Sequence, residues 1–72
     1  MKIRVTRHVV SPKVKLFRFD VAVLDTPNAL AGTRKMIELS RVFSRASAER
    51  EVNGYKRTYK LTSKNVEWRD AE

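Results

Sequence analysis

Seventy-two residues, with 16 Lys and Arg against 8 Asp and Glu, a net charge of +8 and no cysteine, describe one small basic domain with a stability of only a few kcal/mol. The missing cysteine excludes disulfides and Cys-rich zinc sites and fits a reducing compartment. Lys2, Arg4 and Arg7 interrupt any leader-like apolar run, and no segment approaches the ~20 apolar residues of a membrane span, so a soluble cytoplasmic protein is expected.

In chain order, "KIRVTRHVV" (residues 2–10) alternates. Ile3, Val5 and Val9 share one side of a predicted strand, and Lys2, Arg4, Thr6 and His8 the other. "SPK" at 11–13 supplies a turn, with Pro12 barred from a central ladder. Residues 14–24, "VKLFRFDVAVL", read as the strongest strand, with Phe17, Phe19, Val21 and Val23 on the core face. The first two strands form a hairpin or meander.

From Thr26 the period changes. Thr26 before Pro27 is a helix start, and Ala29, Met36 and Phe43 stack on one helical face, flanked by Leu30, Ile37 and Leu39. Arg34, Glu38, Arg41 and Arg45 run down the opposite face. Gly32 weakens the first turns, and the helix is expected to end between Ser47 and Val52, closed by Asn53-Gly54. "GYKRTYKLTSK" (54–64) then reads as a basic strand, with Tyr55, Arg57, Tyr59 and Leu61 on one side and Lys56, Thr58, Lys60 and Thr62 on the other. "TSKN" at 62–65 is a turn, and "VEWR" at 66–69 a short last strand with Val66 and Trp68 inward. The fold class is therefore α+β: a small antiparallel sheet of three to four strands, ββαβ or ββαββ, with one helix on one face.

Chemistry-bearing patterns are scarce. With no cysteine, a single histidine and only Gly32 and Gly54, neither a nucleophile constellation nor a phosphate loop can be assembled. The acids sit beside cations, which keeps them ionised rather than poised as general acids. A non-enzymatic binding protein is expected, without cofactor or metal. Charge supplies the positive signal: residues 1–19 carry Lys2, Arg4, Arg7, Lys13, Lys15 and Arg18 and no acid. Such a field attracts polyanions or acidic protein surfaces.

Two basic surfaces are predicted on opposite sides of the molecule. The favoured partner-binding surface joins Lys2, Arg4 and Arg7 to Lys56, Arg57 and Lys60 of the basic strand. The other is the helix stripe of Arg34, Arg41 and Arg45, moderated by Glu38 through helix-spaced ion pairs. Tyr55, Tyr59 and Trp68 are read as core residues rather than base-stacking ones.

"GYKRTYKLTSK" resembles the strand that follows the recognition helix in winged-helix transcription regulators, where it contacts the DNA backbone. A winged helix requires roughly three helices before that strand, and one is predicted here. In size, charge and ββαβ order the whole chain is similar to the very small transcription regulators with which bacteriophages take over host RNA polymerase. That resemblance implies, in the host cytoplasm, a protein that binds a polymerase subunit, inhibits initiation and alters termination, with the oligomeric state left open. The alternative is direct, electrostatically driven binding to DNA or RNA.

Overall fold

The structure is a computed structural model that describes residues 1–25 and 36–71. Its elements are β1 (Lys2–Ser11), β2 (Leu16–Leu24), β3 (Met36–Val42), α1 (Arg45–Tyr59), a 3-10 turn (Ser63–Asn65) and β4 (Val66–Asp70). The strands form one sheet in the order β3-β2-β1-β4. An α+β fold with one helix against a small sheet is thus present, with the element order βββαβ.

The hairpin is as predicted. β1 and β2 pair antiparallel from Lys2↔Leu24 to Val9↔Phe17, and the ladder shifts register before Ser11↔Leu16. Lys15 ends the intervening turn at φ 51. β3 is antiparallel to β2, whereas β4 is parallel to β1. The sheet is therefore mixed rather than antiparallel, and β3 and β4 run the same way on opposite edges. Parallel strands need a crossover connection, and α1 provides it by crossing the sheet.

The core lies between α1 and one face of the sheet. Ile3 and Val5 of β1, Phe19, Val21 and Val23 of β2, and Ala48 and Val52 of α1 are buried. Each fully buried Val or Ile contributes roughly 1.5–3 kcal/mol. Phe17, Val42, Tyr55, Tyr59, Leu61 and Val66 pack around this centre. Two tyrosines fasten α1 to β3: the Tyr55 hydroxyl lies 2.6 Å from Ser40 Oγ, and the Tyr59 hydroxyl donates to Glu38.

The second half of the chain departs from expectation. Residues 36–42 form a strand, and the helix begins only at Arg45, where Ser44 caps it by accepting from the Ser47 amide at 3.1 Å. The predicted start at Thr26–Pro27, with Ala29, Leu30, Gly32 and Arg34, lies outside the described residues. Met36 and Phe43, expected in the core, are 52% and 62% exposed. Met36 sits on an edge strand, and Phe43 lies just past that strand's end. Asn53 and Gly54 stand inside α1 rather than closing it, and "GYKRTY" is its last turns. The helix stops at Lys60, which adopts the left-handed conformation with its amide bonded to the Lys56 carbonyl. Val9, expected on the core side with Ile3 and Val5, is 57% exposed beyond the reach of α1. The last strand forms as predicted; Val66 packs on the core, but Trp68 remains 39% exposed.

A candidate polyanion interface on the sheet face opposite α1

Strand alternation decides what the face opposite α1 carries. With Ile3 and Val5 against the helix, Lys2, Arg4, Thr6 and His8 of β1 point away from it. Arg18 and Asp20 do so on β2, in antiphase to Phe17, Phe19 and Val21. Register then places Arg41 beside Asp20 on one flank, and Glu67 beside Arg4 on the other.

The result is two carboxylates, each collared by three basic side chains. Asp20 receives His8 Nε2 at 3.1 Å, Arg18 Nε at 3.1 Å and Arg41 Nε at 3.6 Å. Glu67 receives Lys2 Nζ at 2.5 Å, Arg4 Nε at 3.6 Å and Arg69 Nε at 3.7 Å. The hydrogen bond from Lys2, seconded by the charges of Lys2, Arg4 and Arg69, holds the Glu67 carboxyl below its ordinary range against a smaller opposing desolvation.

Five permanent cations thus face two acids, an excess of three positive charges before His8 is counted. Each collar shares one anion among several donors and leaves each guanidinium with N–H groups beyond the contacting Nε. Arg4 Nε, Arg18 Nε and Asp20 Oδ1 are shielded from water, yet they meet their counter-charges only at ion-pair distance, without hydrogen-bond geometry. Such a lattice pre-orients cations whose charge is only partly compensated, as a phosphate backbone requires. Towards the other end of this face Ala22 and Leu24 are buried, and between β1 and β4 a shallow hollow of about 360 Å³ is lined by Arg4, Thr6, Arg69, Asp70 and Ala71.

The structure divides the predicted partner-binding set. Lys2 and Arg4 are on the charged face. Arg7 is on the α1 side of β1, where its Nε meets Asp70 Oδ1 at 2.9 Å and its guanidinium lies 4.9 Å from the Phe17 ring centre. Lys56, Arg57 and Lys60 belong to α1 and its cap, so no sheet surface joins them to Lys2 and Arg4. Lys56 reaches Ser63 Oγ at 3.4 Å. The helix stripe dissolves as well. Arg34 lies outside the described residues, Arg41 joins the charged face from β3, and Arg45 opens α1, with Nε 3.2 Å from Glu49 and its guanidinium 4.6 Å from the Trp68 ring centre. Glu38 bonds Tyr59 instead of serving helix-spaced arginines.

Arg18, Asp20, Glu67 and Arg69 were absent from both predicted surfaces. Strand alternation carried the signal for Arg18 and Asp20, since both fall between core residues of β2. Nothing local announced Glu67 and Arg69, because their place depends on the parallel pairing of β4 with β1.

Among the described residues no cluster of three or more His, Asp or Glu side chains gathers in a metal-binding arrangement, and no helix is long and apolar enough to cross a membrane. Compared with protein-family models, curated proteins and solved structures, the chain matches none.

Proposed function

We propose that this protein is a non-enzymatic nucleic-acid-binding protein that takes a phosphate backbone on the sheet face opposite α1. The observation that supports this reading is the pair of collared carboxylates, with Lys2, Arg4, Arg18, Arg41 and Arg69 as the phosphate-seeking side chains. A sheet can lie along a groove of a duplex and present alternate residues to it. Affinity then comes from counterion release. With about four phosphates neutralised, log K falls with log[salt] at a slope near −3 to −4. The test is fluorescence anisotropy of a labelled DNA duplex across a salt series. Replacing Arg18 and Arg41 together by Gln should weaken binding and flatten the slope by about 2. A double variant with wild-type affinity and slope removes the charged face from the function.

A second reading, docking on the transcription machinery through a subunit of RNA polymerase so as to inhibit initiation or alter termination, draws on β3. Within the described sheet this strand pairs on one side only, and Met36, Ile37 and Leu39 on it are 52%, 41% and 42% exposed. An apolar row on an unpaired edge suits a protein partner, added strand to strand. Nuclease separates the two readings. In a bacterial lysate, polymerase retained by the bound protein after nuclease treatment supports docking. Loss of all captured material with the nucleic acid supports the first reading.

A further inference from the structure

The cations of the described chain divide by whether an acid answers them. Every basic side chain of the four strands lies within 3.7 Å of a carboxylate, as does Arg45 at the start of α1. Arg50, Lys56, Arg57, Lys60 and Lys64 meet none among the described residues. The sequence explains why: residues 52–66 contain no acid. The two acids of α1, Glu49 and Glu51, stand neither three nor four residues from any of these cations, so no helix-spaced ion pair can form.

Helical geometry gathers them. Ala48, Val52, Tyr55 and Tyr59 mark the side of α1 that packs on the sheet. At 3.6 residues per turn, Arg50 and Arg57 then fall on the opposite side with Asn53 between them, and Lys56 on the flank towards β4. These four and Leu61 line one shallow hollow of about 560 Å³. After Lys60 the chain doubles back: the Leu61 amide donates to the Lys56 carbonyl at 2.8 Å, and Lys56 Nζ reaches Ser63 Oγ at 3.4 Å. Lys60 and Lys64 therefore stand at the same end of the stripe. The helix dipole accounts for only about half a negative charge there, far less than the cations supply. Arg50 and Arg57 are two turns apart, about 10 Å along the axis, a length over which a duplex presents about six phosphate charges.

We infer that the outer side of α1 is a second nucleic-acid surface, through which the protein joins two nucleic-acid segments. α1 lies on one face of the sheet and the charged face of Lys2, Arg4, Arg18 and Arg41 is the other, so the two cation fields point in opposite directions. One stiff duplex cannot lie against both, whereas two duplexes can, one on each side. The bridge rests on the sheet-face reading for its first contact; the α1 surface stands on its own unanswered charges. Its chemistry fits nucleic acid better than an anionic membrane. A helix that lies in a bilayer interface needs large apolar side chains beside its cations, and none of the exposed large apolar residues belongs to α1.

The test loads a bead-anchored DNA duplex with protein and measures capture of a second, fluorescent duplex from solution. Anisotropy with one duplex alone gives simple binding. Wild type should capture the second duplex, with a maximum that declines once excess protein coats both. Arg50→Gln combined with Arg57→Gln should lower capture about ten-fold or more while changing single-duplex affinity less than about three-fold. Lys13→Gln combined with Lys15→Gln removes the same charge from the β1–β2 turn and should capture like wild type. Circular dichroism verifies the fold of each variant, which glutamine at exposed positions should preserve. A wild-type protein that binds one duplex and captures no second overturns the bridge and leaves the sheet-face reading standing. Undiminished capture by the folded Arg50/Arg57 double variant also overturns it, because self-association could then join duplexes without α1. Loss of single-duplex binding in that variant, with none when Arg18 and Arg41 are replaced, leaves α1 as one surface and overturns both readings. Sedimentation with phosphatidylserine vesicles that depends on Arg50 and Arg57, without second-duplex capture, assigns the stripe to a membrane and overturns the bridge as well.

Discussion

Glu67 and Tyr59 are tied to the fold by opposite kinds of proton linkage. The cations around Glu67, Lys2 foremost, depress its carboxyl below 4.5 in the folded protein. The stability this contributes is complete above that ordinary value and is lost as pH falls through it towards the folded one. Tyr59 is the reverse: its hydrogen bond to Glu38 raises the phenol above 10.0. That contribution is complete below pH 10 and is lost as pH climbs past the raised value. Urea midpoints measured from pH 3 to pH 11 should therefore fall at both ends. Glu67→Gln should flatten the acid limb alone, and Tyr59→Phe the alkaline limb alone. Either variant changing the wrong limb would refute the assignment.

At the scale of the element, α1 contains two residues that ordinary helix chemistry would replace. Gly54 lies in its interior, where a methyl group would meet nothing within 4 Å. Gly54→Ala should raise stability by about 1 kcal/mol by removing the conformational cost of glycine in a helix. Lys60 holds the left-handed cap at φ 55, a conformation that costs a side chain-bearing residue about 1–2 kcal/mol. Lys60→Gly should recover roughly half of that or more, offset by a freer unfolded chain. Chemical denaturation of the two single variants and their combination checks both values. Because the sites are six residues apart, near-additivity is expected.

The same element shows what the sequence could reveal. Ala48, Val52, Tyr55 and Tyr59 recur at helical spacing, and Ser44 stands at the right distance to cap, so the helix was legible in its own residues. It was obscured because Tyr55, Arg57, Tyr59 and Leu61 also satisfy a period of two, and because Asn53-Gly54 imitates a stop signal. Upstream, Met36, Ile37, Leu39, Val42 and Phe43 fit a helical face as well as a twisted edge strand, and only pairing with β2 decides between them. The hairpin was read correctly because both of its strands alternate without competition and one has a continuous apolar face. On the charged face, Lys2 and Arg4 were legible from that alternation, while Glu67 and Arg69 required tertiary pairing.

At the scale of the whole molecule, the core cluster of the described residues is a thin layer between α1 and one sheet face. Phe19, 5% exposed at its centre, has few substitutes. Phe19→Ala should cost about 3–5 kcal/mol, a large fraction of the total for a domain of this size. Equilibrium denaturation should show a protein at or beyond the edge of folding, while Phe43→Ala, which empties no core volume, should stay within about 0.5 kcal/mol of wild type.

The parallel pairing of β4 with β1 also governs how the chain reaches this state. Lys2 and Glu67 are separated by 65 positions, and β4 is added after α1 has crossed the sheet. On a ribosome the β1–β2 hairpin can form early, but one side of β1 must wait without a hydrogen-bonded neighbour until residues 66–70 emerge. Closure over so long a separation places refolding among slow small domains, in milliseconds rather than microseconds. Meanwhile "KIRVTRHVV" is an open edge, and its cations at positions 2, 4 and 7 make two such edges repel before β4 arrives. The positive charge on the waiting strand thus protects the nascent chain from pairing with its own copies.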